Sequence, residues 1–372
     1  MPRSSKDRPP GGIARHDAPQ HGPRPLPLFL DMLRSETAAS SERRAAALAG
    51  LRRYQQAPRP RRVLPPARFR KGAARLRDVG GDVTGPPVVF VPSLINPPFV
   101  LDLAPGRSLV RHVAARGFRA WLVDWGTPRP QDAGLDLAGH VADRLLPLLA
   151  KLDRPPILVG YCLGGTLALA AAALPGARCA GVATIAAPWH FAGYGEAARA
   201  EMTALWQRAE PAARAIGALP MEVLQAGFWR LDPARTIAKY EAFATMPDAQ
   251  AATFVALEDW ANAGAPLTYA AGADLFDALL SRDLPGRGEW QVGGHAVDPA
   301  RLACPVAQFV SRTDRITPAA TAADVGERHD LSLGHVGMVV GGRAQAMLYD
   351  PLTEWLVRLA GARGAKHLGS TT

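Results

Sequence analysis

Between Ile157 and Leu174 the chain passes from a short apolar run, Ile157-Leu158-Val159, through Gly160-Tyr161-Cys162-Leu163-Gly164-Gly165 into the small-residue segment Thr166–Leu174. Few architectures accept this order. The apolar run reads as a strand buried on both faces, and the segment after the glycines reads as a helix. A turn this tight needs small residues two before and two after Cys162, so that the backbone can pass itself. A thiol on such a turn projects from the sheet edge beside the N–H of Leu163 and the start of a helix. That environment favours a thiolate and a developing oxyanion. Cys162 is the expected nucleophile, and Gly160, Gly164 and Gly165 are the expected elbow glycines. A buried cysteine is more often a small core hydrophobe. Cys179 and Cys304, at strand starts without this context, are read that way.

The alternation extends in both directions. Val88–Val91, Ala120–Val123, Gly181–Ile185 and Val306–Val310 read as further strands, with helices over Ser108–Arg116 and Leu137–Leu152. Strands alternating with helices predict an α/β fold, a mostly parallel sheet with helices on both faces. From residue 188 to 300 the alternation gives way to helical segments, EAARAEMTALWQRA, PMEVLQAGFWRL, PARTIAKYEAF and AQAATFVALEDWANA. These predict a helical cap insertion over the carboxyl edge of the sheet, where ligands bind in such folds. The expected division is a basic arm over 1–77, a core made of 78–187 and 301–372, and the cap over 188–300.

Charge is concentrated in the arm. Residues 1–77 carry 18 Lys and Arg against 5 Asp and Glu, a net +13, whereas the whole chain is +10. The body is therefore slightly acidic. Residues 1–25 are Pro-, Gly- and Arg-rich and are expected to be disordered. Residues 36–57 predict one helix, capped by Ser40 or Ser41. Nothing in the arm resembles an RNA- or DNA-binding module, which argues against nucleic-acid binding. Three widely spaced cysteines carry neither a disulfide framework nor zinc spacing and favour a reducing compartment. The charged, proline-broken N-terminus has no apolar core of a signal peptide. The longest apolar stretch is too short to span a bilayer. The expectation is a cytoplasmic protein with no transmembrane segment, no metal site and no nucleotide fingerprint.

An elbow of this kind needs an acid and then a base later in the chain. Of nine histidines, His335 lies in the glycine-flanked loop Leu333-Gly334-His335-Val336-Gly337, where a catalytic imidazole should emerge. His329, on a short strand, and His295 fit less well. Asp314 occupies the loop after the Val306–Val310 strand and is the expected acid, ahead of Asp324 and Asp330. Its alternative reading is a turn or cap aspartate.

Taken together, GYCLGG, DWGTP, the late S-x-x-D-x-I-x-P and GHVGMVVGGRAQ resemble the polyhydroxyalkanoate (PHA) synthases of the alpha/beta-hydrolase superfamily, nearest to the short two-component (class III-like) synthases. Leu94-Ile95-Asn96-Pro97-Pro98 with Leu101-Asp102-Leu103, Ala187-Pro188-Trp189 and Leu257-Glu258-Asp259-Trp260 agree, so the resemblance covers about residues 65–360. It implies an alpha/beta-hydrolase fold and an acyltransferase that polymerises 3-hydroxyacyl-CoA and releases CoA. The implied roles are Cys162 as acylated nucleophile, His335 as base and Asp314 as its partner, with Leu163 and Ile95 as oxyanion donors. No cofactor is implied, since the CoA thioester is a substrate. Implied partners are the growing polyester, an accessory synthase subunit, a second copy in a homodimer and the polymer granule surface. One departure stands out: the family's aspartate is usually followed by His, and here Arg315 follows it. A cysteine-nucleophile hydrolase, such as a thioesterase, a polyester depolymerase or a relative of dienelactone hydrolase, shares the elbow and remains the alternative.

Overall fold

Each apolar run identified above becomes a strand of one eight-stranded sheet. In chain order the strands are β1 (Ala67–Lys71), β2 (Ala74–Gly81), β3 (Pro87–Val91), β4 (Arg119–Asp124), β5 (Ile157–Tyr161), β6 (Gly181–Ile185), β7 (Val306–Ser311) and β8 (Glu327–Leu331). Their spatial order is β1-β2-β4-β3-β5-β6-β7-β8. The β1–β2 and β2–β4 pairs are antiparallel, and the remaining pairs are parallel. This computed structural model describes residues 21–58 and 62–368, with side chains as far as residue 362. The expectation of disorder over 1–25 falls mostly on residues outside the described ones.

The continuous apolar strands follow from burial on two faces. Val89, Val91 and Leu158 belong to one apolar core, while Val88, Phe90, Ile157 and Val159 belong to the other. Successive side chains of a strand point to opposite faces, so both faces of β3 and β5 need apolar residues.

The basic stretch at 67–81, which composition groups with the arm, instead forms β1 and β2 of this sheet. Its arginines alternate along the strands and find carboxylates on neighbouring strands. Arg75 and Arg77 reach Asp124 at 3.4 and 2.7 Å, and Arg119 pairs with Asp78. An antiparallel edge with one solvated face tolerates this alternation.

Packing divides the described chain into two compact units, one from residues 1–62 with 234–255 and the other from 63–233 with 256–372. These boundaries differ from those expected at 77, 187 and 300. The smaller unit holds two N-terminal helices where one is expected, α1 (Leu26–Glu36) and α2 (Ser41–Gln56). The prolines that obscure α1 lie at its start, where a missing N–H costs nothing. Ser40 caps α2 by accepting from Arg43 N. Ala47, Gly50, Leu51 and Tyr54 form its buried face, at helical spacing. They meet residues nearly two hundred positions later. Phe29 and Tyr54 pack on Tyr240 with ring centroids 4.7 and 6.0 Å apart. Arg43 grips Glu241 through two bonds of 3.1 and 2.9 Å, and Arg53 donates to the Phe243 and Met246 carbonyls. A Cβ on Gly50 would lie 1.9 Å from the Tyr240 carbonyl oxygen, so this contact requires glycine.

The larger unit carries the sheet and most of the expected insertion. In chain order its helices include α3 (Leu109–Ala114), α4 (Leu163–Ala173), α5 (Glu196–Ile216) and α6 (Met221–Leu231). Among the described residues no helix is long and apolar enough to cross a membrane.

Candidate active site

Cys162 stands between β5 and α4 with φ +54° and ψ −133°, a conformation an L-residue adopts only under strain of about 1–3 kcal/mol. The surrounding backbone holds it there. Cys162 N donates to Ile185 O at 2.9 Å, and Gly165 N donates to Cys162 O at 2.8 Å. The three glycines are required by close approach. A Cβ on Gly160 would sit 2.3 Å from Gly165 Cα, one on Gly164 2.1 Å from Val91 O, and one on Gly165 2.3 Å from Ala187 Cβ. A strand entering and a helix leaving at this angle leave no room for a methyl group.

The loop after β7 delivers Asp314. Its Oδ1 accepts from Ile316 N (2.7 Å) and Thr317 N (3.0 Å), which orients the carboxylate, and its Oδ2 lies 2.6 Å from His335 Nδ1. The Asp314 side chain is fully buried, and that of His335 is 7% exposed. Two bonds hold the histidine loop. Tyr161 OH donates to His335 O at 3.3 Å, and Ser311 Oγ donates to Leu333 O. The side chain of Cys162 lies within electrostatic reach of the imidazole. Cys162, His335 and Asp314 therefore come together, with the imidazole between the thiol and the carboxylate.

The electrostatics favour a charged imidazole. Burial is the largest single influence on His335 and works against its protonation. Negative charge at Cys162 and Asp314, with the hydrogen bond to Asp314, outweighs burial and raises its pKa from 6.5 to about 10. An imidazolium beside a cysteine stabilises the thiolate, the nucleophilic form of the side chain.

The two expected oxyanion donors differ. Leu163 is the first residue of α4, so its N–H has no partner within the helix. Ile95 N–H is engaged by Ser93 Oγ at 3.2 Å, and that bond must open before Ile95 can serve. Both residues line the same cavity as Cys162.

The other candidates lie elsewhere. His295 is exposed on a two-residue strand, and His329 stacks on Phe309 with centroids 4.7 Å apart. Asp324 pairs with His190 at 3.4 Å, and Asp330 with Arg328 at 3.0 Å. Arg315, beside the acid, points away from it to Asp232 at 3.1 Å and leaves the Asp314–His335 bond intact. Cys179 and Cys304 adjoin one another away from the elbow. Among the described residues no three His, Cys, Asp or Glu side chains group to hold a metal ion.

A cavity of about 550 Å³ opens from Cys162. Its wall is mainly apolar, with Phe191, Met202, Leu224, Phe228, Leu275 and Phe276 among its residues. Met202, Leu224 and Phe228 come from helices expected from periodicity, whereas Phe191, Leu275 and Phe276 lie outside those segments, and nothing local marks any of these side chains as wall. Tyr194 and Thr317, also in the lining, carry no motif signal at all.

The family model described as alpha/beta hydrolase fold matches residues 86–327, more than half of the chain. The chain belongs to the alpha/beta hydrolase fold family. Within the family its sequence relatives are PHA polymerases. It is similar to the poly(3-hydroxyalkanoate) polymerase subunit PhaC of Haloferax mediterranei, 26% identical over 285 residues that cover 72% of this chain and 58% of that protein. PhaC of Synechocystis sp. is 25% identical, with 73% of this chain and 77% of that protein covered. PhaC of Cupriavidus necator is 38% identical over 98 residues, covering 25% of this chain and 16% of that protein. The chain spans about three fifths of the length of the two haloarchaeal relatives it matches.

Proposed function

We propose that this protein is an acyltransferase that polymerises 3-hydroxyacyl-CoA into polyhydroxyalkanoate with release of CoA. The observation that carries the reading is the Cys162–His335–Asp314 arrangement at the mouth of an apolar cavity, in a chain whose sequence relatives are PHA polymerases. The Cys162 thiolate attacks the thioester carbonyl, and the oxyanion is held by Leu163 N–H, joined by Ile95 N–H once Ser93 releases it. The carbon–sulfur bond to CoA breaks, and the CoA thiolate takes the proton of the His335 imidazolium. The imidazole, now neutral and oriented by Asp314, accepts the proton of an incoming 3-hydroxyl. That oxygen attacks the acyl-cysteine, an ester forms, and Cys162 is freed as thiolate. Exchange of one thioester for another is nearly balanced in energy, so the acyl-enzyme stays reactive. An apolar chamber limits competition from water. No cofactor takes part.

An accessory subunit, a second copy of the chain and the granule surface are the proposed partners, with the protein residing in the cytoplasm at granules. The test is incubation of the purified protein with 3-hydroxybutanoyl-CoA, following both free CoA and the acyl group. Insoluble polyester with CoA release is the expected result. Free 3-hydroxybutanoate as the sole acyl product would assign the same elbow to a hydrolase.

A further inference from the structure

Apart from Cys162, the polar side chains lining the cavity fall into two groups. Glu201, Arg208, Arg230 and Arg315 are exposed, whereas Tyr194 is half-buried and Thr317 is buried. Tyr194 lies in the short helical turn Phe191–Tyr194. Asp283 anchors that turn: its carboxylate accepts from Phe191 N at 2.7 Å and Ala192 N at 3.1 Å, from a left-handed backbone of φ +52°. Strain kept at a position that holds a cavity wall is what a site requiring fixed geometry would show. Thr317 is fixed from the other side, since its N–H donates to the Asp314 carboxylate. Thr317 Oγ1 is buried beside the Tyr194 phenol, close enough for the two hydroxyls to interact. The phenol lies within electrostatic reach of both Cys162 and Asp314. Burial, followed by those negative charges, keeps it neutral far above its ordinary range, so it remains a donor.

Two neighbouring buried hydroxyls have more donor and acceptor sites than one mutual bond uses, and a ligand hydroxyl can take up the rest. The acyl group proposed above has one polar atom besides its thioester, the 3-hydroxyl, two carbons from the carbonyl that Cys162 attacks. A subsite for it must therefore adjoin the thiol. We propose that the Tyr194 hydroxyl and Thr317 Oγ1 form a polar subsite that holds the 3-hydroxyl of the acyl group and selects 3-hydroxyacyl thioesters over unsubstituted ones. The assignment rests on the function proposed above and adds its specificity-determining residues. Neither exchanges a proton with the reacting atoms, so both are positioning residues. Sites built to hydrogen-bond a substrate hydroxyl discriminate strongly against analogues lacking it, because their own polar groups are then left unpaired.

The test compares kcat/KM for CoA release from 3-hydroxybutanoyl-CoA and from butanoyl-CoA in the wild type, Tyr194→Phe, Thr317→Val and Thr317→Ser. The ratio of the two constants is the readout. A partly misfolded variant loses rate on both substrates alike, so folding defects leave the ratio unmoved. The expected result is a ratio lowered about tenfold or more in Tyr194→Phe and Thr317→Val, and restored towards the wild-type value in Thr317→Ser. An unchanged ratio in both deletion variants, beside an active wild type, overturns the subsite and leaves the proposed function standing. No CoA release by the wild type from either thioester removes the proposed function, and the subsite with it.

Discussion

At the elbow, each of three glycines faces an atom that a methyl group would strike, and Cys162 is held in a strained backbone by bonds from both sides. Along the cavity wall, Met202 and Phe228 are only partly buried and pack against the core from helices α5 and α6. The three glycine positions of the first region accept no other residue, because backbone, or at Gly165 the Ala187 methyl group, fills the space a Cβ would need. The second accepts many, because side chain meets open space. The chemistry of the site is thus set by sterics that the sequence must obey. The cavity wall is set by side chains that can change at smaller cost to the fold.

The largest expected effect isolates the nucleophile. Cys162→Ala should lower CoA release by at least about 10⁴-fold while the thermal unfolding midpoint stays near that of the wild type. Asp314→Asn keeps an acceptor for the Ile316 and Thr317 amides but offers the imidazole the wrong partner. It should cost about 10²- to 10⁴-fold in kcat. Gly164→Ala sharpens the contrast with the wall. Its methyl group would lie 2.1 Å from the Val91 carbonyl oxygen, so denaturant unfolding should show a loss of about 3 kcal/mol or more.

The pH dependence follows from His335. Its pKa is raised in the folded state from 6.5 to about 10, so the folded protein binds a proton that the unfolded chain has released in that window. The resulting stability is fully present below about pH 6.5 and is lost as pH rises through about 10. His335→Gln should flatten the decline in unfolding free energy between pH 6.5 and 10, measured against the wild type. The smallest effect belongs to the wall. Phe228→Ala should cost about 2 kcal/mol or less in stability and shift preference towards longer acyl thioesters by about tenfold.

The same division explains what could be read in the sequence. Strands β3 to β7 are legible because burial on both faces leaves short apolar runs. The elbow is legible because its glycines are obligatory, and Asp314 and His335 because chain order restricts them to loops after late strands. The pairing of α2 with residues around Tyr240 is not legible. Ala47, Gly50, Leu51 and Tyr54 mark a buried face but not its partner, which lies nearly two hundred residues away. Strands β1 and β2 are hidden by the arginines of their solvated face, which look like part of a basic tail until Asp78 and Asp124 are placed beside them. Tyr194 and Thr317 are silent because a hydroxyl facing a cavity leaves no local pattern.

The most direct test is intact-protein and peptide mass spectrometry after brief mixing with 3-hydroxybutanoyl-CoA. A 3-hydroxybutanoyl adduct on the peptide that carries Cys162, formed together with CoA release and absent in Cys162→Ala, is the expected result. CoA release that persists in Cys162→Ala, or an adduct found on Cys179 or Cys304 instead, would contradict the assignment of the elbow cysteine as nucleophile.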